Sequence, residues 1–192
     1  MRFFKTFSSA LLLLLIGLSV NLDLQAQQKL TLQQEHLLFK VSGTSTLHNW
    51  DMISSEGEGF LTFEEAANGK TNFTSAQVSF KAETLESGKN GMDKNAYKAL
   101  KTNEYQNISF EFDEFESTGD GKGYVYGYLT VAGFTKSVSL DVTFTSENNQ
   151  ITVQANGAFL LTDFQIDPPT ALLGTVKTGD EVTIEVKAQF KH

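Results

Sequence analysis

The sequence predicts an all-β domain, and three observations carry that reading. Apolar and polar residues alternate with period two in segment after segment, turn-forming pairs separate those segments, and only one short stretch follows a helical period. The clearest alternation places Val138, Leu140, Val142 and Phe144 on one face and Ser137, Ser139, Asp141 and Thr143 on the other. Leu37, Phe39 and Val41 alternate earlier, as do Leu61 with Phe63, Val78 with Phe80, and Phe110 with Phe112. Val182, Ile184 and Val186 alternate near the end of the chain. Each segment reads as a strand with one apolar and one polar face.

The turn signals are Asn68-Gly69, Gly119-Asp120-Gly121, Asn148-Asn149 and Thr178-Gly179-Asp180, residue types that tolerate the positive φ of tight hairpins. The helical stretch runs from Met92 to Lys101, where Met92, Ala96 and Leu100 recur four residues apart with Tyr97 beside them. About eight or nine strands and one short helix suit an antiparallel barrel, because closure removes exposed strand edges. A β-sandwich gives the same alternation, and periodicity does not choose between them.

The first 26 residues read as a secretory signal peptide. Arg2 and Lys5 are followed by the apolar run Leu11–Leu15, Ile16, Leu18 and Val20, then a polar stretch ending at Ala26. The run is short for a bilayer span of roughly 20 residues, so cleavage is expected rather than a stable membrane anchor. One domain is expected over residues 27–192, periplasmic or secreted. The chain has no cysteine, which removes disulfides, thiolate nucleophiles and thiolate metal sites.

Charge narrows the partners. The chain carries 15 Lys+Arg against 23 Asp+Glu; two of the basic and one of the acidic residues lie in the first 26, leaving a net charge of −9 in the remainder. That balance opposes nucleic-acid binding and electrostatic docking on anionic membranes. It does not oppose an apolar ligand. A homodimer is left open.

Chemistry-bearing constellations are sparse. The histidines are His36, His48 and His192, with no metal-ligand spacing among them, so neither a metal nor a cofactor is expected. There is no G-x-S-x-G elbow. The carboxylate pairs Glu64-Glu65, Asp113-Glu114 and Asp180-Glu181 are adjacent residues, which point to opposite faces of a strand and make poor acid/base couples. The Gly119–Gly123 stretch lacks the following helix of a phosphate cradle. A catalytic site is therefore not expected, and His48 is the one plausible base.

Aromatic residues carry the sharper reading. Sixteen Phe is a high count for a chain of 192 residues, and Phe39, Phe63, Phe80, Phe110, Phe112, Phe144, Tyr124, Tyr126 and Tyr128 fall mostly at strand positions of one parity. Singly they are core; as a set they suit the walls of an apolar tunnel. Trp50, the sole tryptophan, serves equally as an end plug or a ligand contact. The helix is expected over one opening, as lid or plug, with Met92 adaptable to varied ligands. The expected ligand-lining set is Phe39, Val41, Trp50, Phe63, Phe80, Met92, Tyr97, Leu100, Phe110, Phe112, Tyr126, Leu140 and Val142.

Four segments in order resemble the YceI-like, or polyisoprenoid-binding, family: FKVSGTSTLHNWDM (39–52), MDKNAYKALKTNEYQNISFEF (92–112), GYLTVAGFTKSVSLDVTF (127–144) and DFQIDPPTALLGTVKTGDEVTIEV (163–186). The chain departs from the pattern at Met92, Asp93 and Asn95, where members often carry Arg and His, and at Ala132 before Gly133. The resemblance implies a lipocalin-like antiparallel barrel with an internal tunnel, holding a polyisoprenoid, an isoprenoid quinone or a fatty-acid-like lipid without acting on it.

Overall fold

A computed structural model describes residues 27–65 and 71–192. The expected signal peptide and the Asn68-Gly69 turn lie outside them. The described chain forms β1 (Gln28–Leu32), β2 (Leu38–Ser45), β3 (Trp50–Ser54), β4 (Glu58–Glu65) and β5 (Thr71–Lys81). Helix α1 (Asn90–Leu100) follows, then β6 (Asn107–Gly119), β7 (Lys122–Val131), β8 (Phe134–Glu147), β9 (Gln150–Leu160), β10 (Thr170–Ala171) and β11 (Val176–Lys191).

All pairings are antiparallel. The order β1-β4-β5-β6-β7-β8-β9-β11 returns to β1 through Thr31 opposite Lys191 and Leu32 opposite Phe190, which closes an eight-stranded ring. The architecture is thus the barrel and not the sandwich. Closure differs at the two ends. Strand β1 meets only the last residues of β11, whereas β2 pairs with β11 from Thr178 to Lys187 and carries β3 on its outer edge. Among the described residues strand β3 has no ladder to β4 or β5, only the bridge from Ile53 to Glu86. The ring is therefore tight at the β1 end and splayed at the other, where α1 sits.

Three tight hairpins follow from residues that accept positive φ: Asp120-Gly121 (52° and 69°), Ala132-Gly133 (50° and 80°) and Asn148-Asn149 (52° and 59°). The Thr178-Gly179-Asp180 signal is different. These residues lie inside β11, at a register shift between Thr178 and Val182, so the expected turn is a bulge within one 16-residue strand. A second bulge, between Phe112 and Glu114 in β6, resets the alternation so that Phe115 points inward like Phe110 and Phe112.

The tight end is packed solid. Leu30, Leu32, Phe63, Phe73, Ile151 and Phe190 are buried together there, with Phe73, Phe115 and Phe144 meeting edge to face at centroid distances of 4.7–5.8 Å. At the splayed end Met52, Leu85, Ile108, Leu129, Phe164 and Ile166 pack beneath α1. The helix is tied down at both ends. Buried Asp93 accepts hydrogen bonds from Ser87 N (2.8 Å) and Ser87 Oγ (2.6 Å), and Thr102 Oγ1 donates to Glu83 Oε1 (2.7 Å).

Candidate functional site

Between these two packed layers the barrel is hollow. One cavity of about 1160 Å³ runs from Phe73 and Phe144, above the tight-end plug, to an opening beside α1. That exceeds the several-hundred-Å³ range of most small-molecule pockets. Its walls come from the inward-facing parity of nearly every strand: Phe39, Val41, Ala76, Val78, Phe80, Phe110, Phe112, Val125, Leu129, Val138, Leu140, Val142, Val153, Ala155, Val182, Ile184 and Val186. Val138 to Phe144 alone covers six residue steps, roughly 20 Å of strand. Phe39 and Phe80 stack across the wall at 4.5 Å between ring centroids, a flat apolar surface facing the lumen.

Polar lining groups collect at the mouth. Ser45, His48, Lys89, Asn95, Thr170 and Thr178 contribute there, from the end of β2 and the turn after it, the start of α1, β10 and the first residues of β11. Ser45 Oγ organises its turn, accepting from Leu47 N (3.2 Å) and His48 N (3.1 Å) and donating to His48 O (2.7 Å). His48 lines the opening and is a rim residue. No side-chain cluster among the described residues has the make-up of a metal site.

Ten of the thirteen expected lining residues meet around this cavity: Phe39, Val41, Trp50, Phe80, Met92, Leu100, Phe110, Phe112, Leu140 and Val142. Trp50 lies at the mouth, its Nε1 donating to Thr44 O at 2.9 Å. Its ring covers Gly43, where an added Cβ would come within 2.3 Å of the indole, so only glycine leaves room for that ring. Met92, Ala96 and Leu100 present the apolar face of α1 to the opening, as their spacing implies.

Three residues stand elsewhere. Phe63 points inward but too deep: only 2% exposed, it is part of the tight-end plug below the cavity. Tyr97 fastens α1 to the turn before it, its hydroxyl within donating distance of Glu83 O (2.9 Å) and Leu85 O (2.8 Å). Burial, and then the charges of Asp93, Glu86 and Glu83, push the Tyr97 hydroxyl above its ordinary pKa. Tyr126 faces outward with Tyr124 and Tyr128, and its hydroxyl donates to Glu116 Oε2 at 3.1 Å. The lumen side of β7 is Val125, Gly127 and Leu129, with the Phe110 ring lying over Gly127.

Sequence reasoning passed over several wall residues. Phe73, Ala76, Val125, Leu129, Val153, Ala155 and Phe159 line the cavity. For Val153 and Ala155 the signal was alternation with Gln154 and Asn156, diluted by small residues. The rim leucines sit outside the alternating strands, Leu47 in a loop and Leu172 and Leu173 in a short 3-10 turn, where period two carries no information.

A YceI-like domain model matches residues 22–190. A UPF0312 protein of Serratia proteamaculans (strain 568) is 27% identical over 178 residues, covering 88% of this chain and 90% of that one. Among solved structures, BcnA of Burkholderia cenocepacia superposes with a TM-score of 0.69 at 17% identity, over 82% of this chain and 98% of that chain. A polyisoprenoid binding domain from Saccharophagus degradans, implicated in plant cell wall breakdown, gives 0.57 at 13% identity, over 84% and 97%. At these identities the structures speak for a shared barrel, while the domain match spans most of the sequence: the chain belongs to the YceI-like family.

Proposed function

We propose that the chain, once exported and cleaved near Ala26, is a non-enzymatic periplasmic or secreted binding protein for an elongated lipid. The tail lies along the lumen between the Phe39–Phe80 stack and the Leu140–Val142 wall; the head rests at the mouth near Trp50, His48 and Asn95. One observation carries this: an apolar-walled cavity of about 1160 Å³ with most of its polar groups at its opening. Each buried CH2 contributes about 0.8 kcal/mol, so a five-carbon isoprene unit contributes about 4 kcal/mol before ordering costs. A few units suffice for tight retention with no charged contact. The resemblance to a polyisoprenoid binding domain supports the same class, with quinone-like or fatty tails equally suited to these walls.

The test is native mass spectrometry of protein recovered from the periplasm of an expressing bacterium, with organic extraction of the same sample. We expect a mass beginning at Gln27 and one hydrophobic species per chain. A clean ligand-free mass under gentle ionisation would overturn the binding reading. A lipid-converting activity lost in His48→Ala would overturn the non-enzymatic one.

A further inference from the structure

Three leucines stand out from the surface around the cavity mouth: Leu47 (68% exposed), Leu172 (73%) and Leu173 (107%). They occupy two loops that are pinned together. Thr46 N donates to Lys177 O at 2.9 Å, and Lys177 N donates to Thr46 Oγ1 at 3.1 Å. Leu172 and Leu173 also hold consecutive left-handed backbone angles, φ 49° and 57°, a conformation rare for bulky side chains. Thr175 fastens this tip, its N and Oγ1 both donating to Leu172 O at 3.3 and 2.7 Å. The chain thus maintains an unfavourable backbone and gains no burial of its own from the leucines it displays.

Beside the same mouth, Lys89 lines the opening, and Lys94, Lys98 and Lys101 follow it along α1, all exposed. None is ion-paired among the described residues. The only acid within 87–101 is Asp93, buried against Ser87; Glu83, on the preceding turn, is engaged by Thr102, and the exposed Glu86 and Glu104 stand at either end of the lysine row. Acids cluster at the opposite end of the barrel, where Glu64, Glu65, Asp113, Glu114, Glu116, Asp120 and Glu147 lie at the tight-end strand termini and hairpins; Asp163, Asp167, Asp180 and Glu181 lie in the segments on the other side of the mouth, so the lysines form a local patch on α1. This patch gives the α1 side of the mouth a positive surface even though the whole molecule is acidic.

We propose that the mouth is a membrane-docking surface. Leu47, Leu172 and Leu173 enter the interfacial layer of a bilayer with anionic headgroups, and the α1 lysines lie against its phosphates. The cavity then opens onto the lipid, and a tail passes between bilayer and lumen without crossing water. This rests on the lipid-binding reading above. Three leucines are far too small a patch for a stable protein interface of roughly 1,200 Å² or more, but they suit shallow insertion.

Flotation with vesicles of phosphatidylcholine, alone or mixed with phosphatidylglycerol, tests this. We expect the protein to bind the mixed vesicles, and binding to weaken with added salt. Leu172→Ser with Leu173→Ser should weaken binding by about tenfold or more, with an unchanged circular dichroism spectrum because both side chains are already solvated. Lys94→Glu with Lys98→Glu, outside the cavity lining, should lose the preference for phosphatidylglycerol and keep its extractable lipid. A lipid-loaded parent that ignores both vesicle types would overturn the docking surface alone. So would a serine variant that binds like the parent, or binding that requires a protein in the membrane. Vesicle binding by a parent with no extractable lipid would support docking and overturn the carrier reading.

Discussion

Filling the lumen from one wall distinguishes an open interior from a packed one, because the two respond with opposite signs. Ala155 on β9 is the place to do it. It points into the cavity, flanked in register by Val142 on β8 and Val186 on β11. Ala155→Trp would set an indole in the middle of about 1160 Å³ of empty space. Burying roughly 150 Å² of added ring at about 25 cal/mol per Å² contributes about 4 kcal/mol gross. Side-chain ordering offsets about 1 kcal/mol of it. Lipid-free protein should therefore unfold in denaturant at the same midpoint or a higher one. The ligand loses a comparable area of wall, and about 4 kcal/mol is roughly a thousandfold in affinity. Extracted lipid per chain should fall to a small fraction of the parent's. In a packed interior the same ring would be overpacked and cost about 1–3 kcal/mol. A variant destabilised by that amount, with lipid content unchanged, would refute the reasoning.

The plug and the rim should behave differently from the wall. Phe63→Ala removes a ring from the solid layer and should cost about 3–5 kcal/mol in denaturant unfolding, with lipid per folded chain unchanged. Gly43→Val places a side chain where the Trp50 ring lies, so tryptophan emission should shift to longer wavelength as the indole is pushed into water, and lipid retention should weaken. Acid should loosen the β2–β3 edge before the ring. Ser42 Oγ donates to the Asp51 carboxylate at 2.6 Å, and with Lys40 3.5 Å away the Asp51 pKa lies below its ordinary 3.8. A depressed carboxylate pKa contributes stability that is whole above the ordinary value and is lost as pH falls through the folded one. Amide exchange in β3 should rise on that acid limb, and Asp51→Asn should be flat across it; equal acid sensitivity in both would count against the pairing.

Much of this barrel was legible because one rule governs it. Each wall strand has water on one side and the lumen on the other, so β8 and the second half of β11 alternate without a break. What escaped notice has physical reasons. The strand that closes the ring, QKLTL, offers just Leu30 and Leu32, and only its distant partners, β4 and the far end of β11, explain why they are buried. Turn chemistry at Thr178-Gly179-Asp180 serves equally well for a bulge. Tyrosine is apolar along its ring and polar at its tip, so Tyr124, Tyr126 and Tyr128 read as a wall; Gly127 on the other parity, lying under Phe110, marks the true inner face. Depth along the axis is invisible to a period of two, which is why Phe63 and Phe80 looked alike although one plugs and the other lines.

An electron-density map from crystals of the protein as isolated examines the lumen itself. The account predicts continuous elongated density threading between the Phe39–Phe80 stack and the Leu140–Val142 wall, ending near Trp50. Opposite walls collapsed into contact, with side chains filling the axis and no room for a tail, would contradict it.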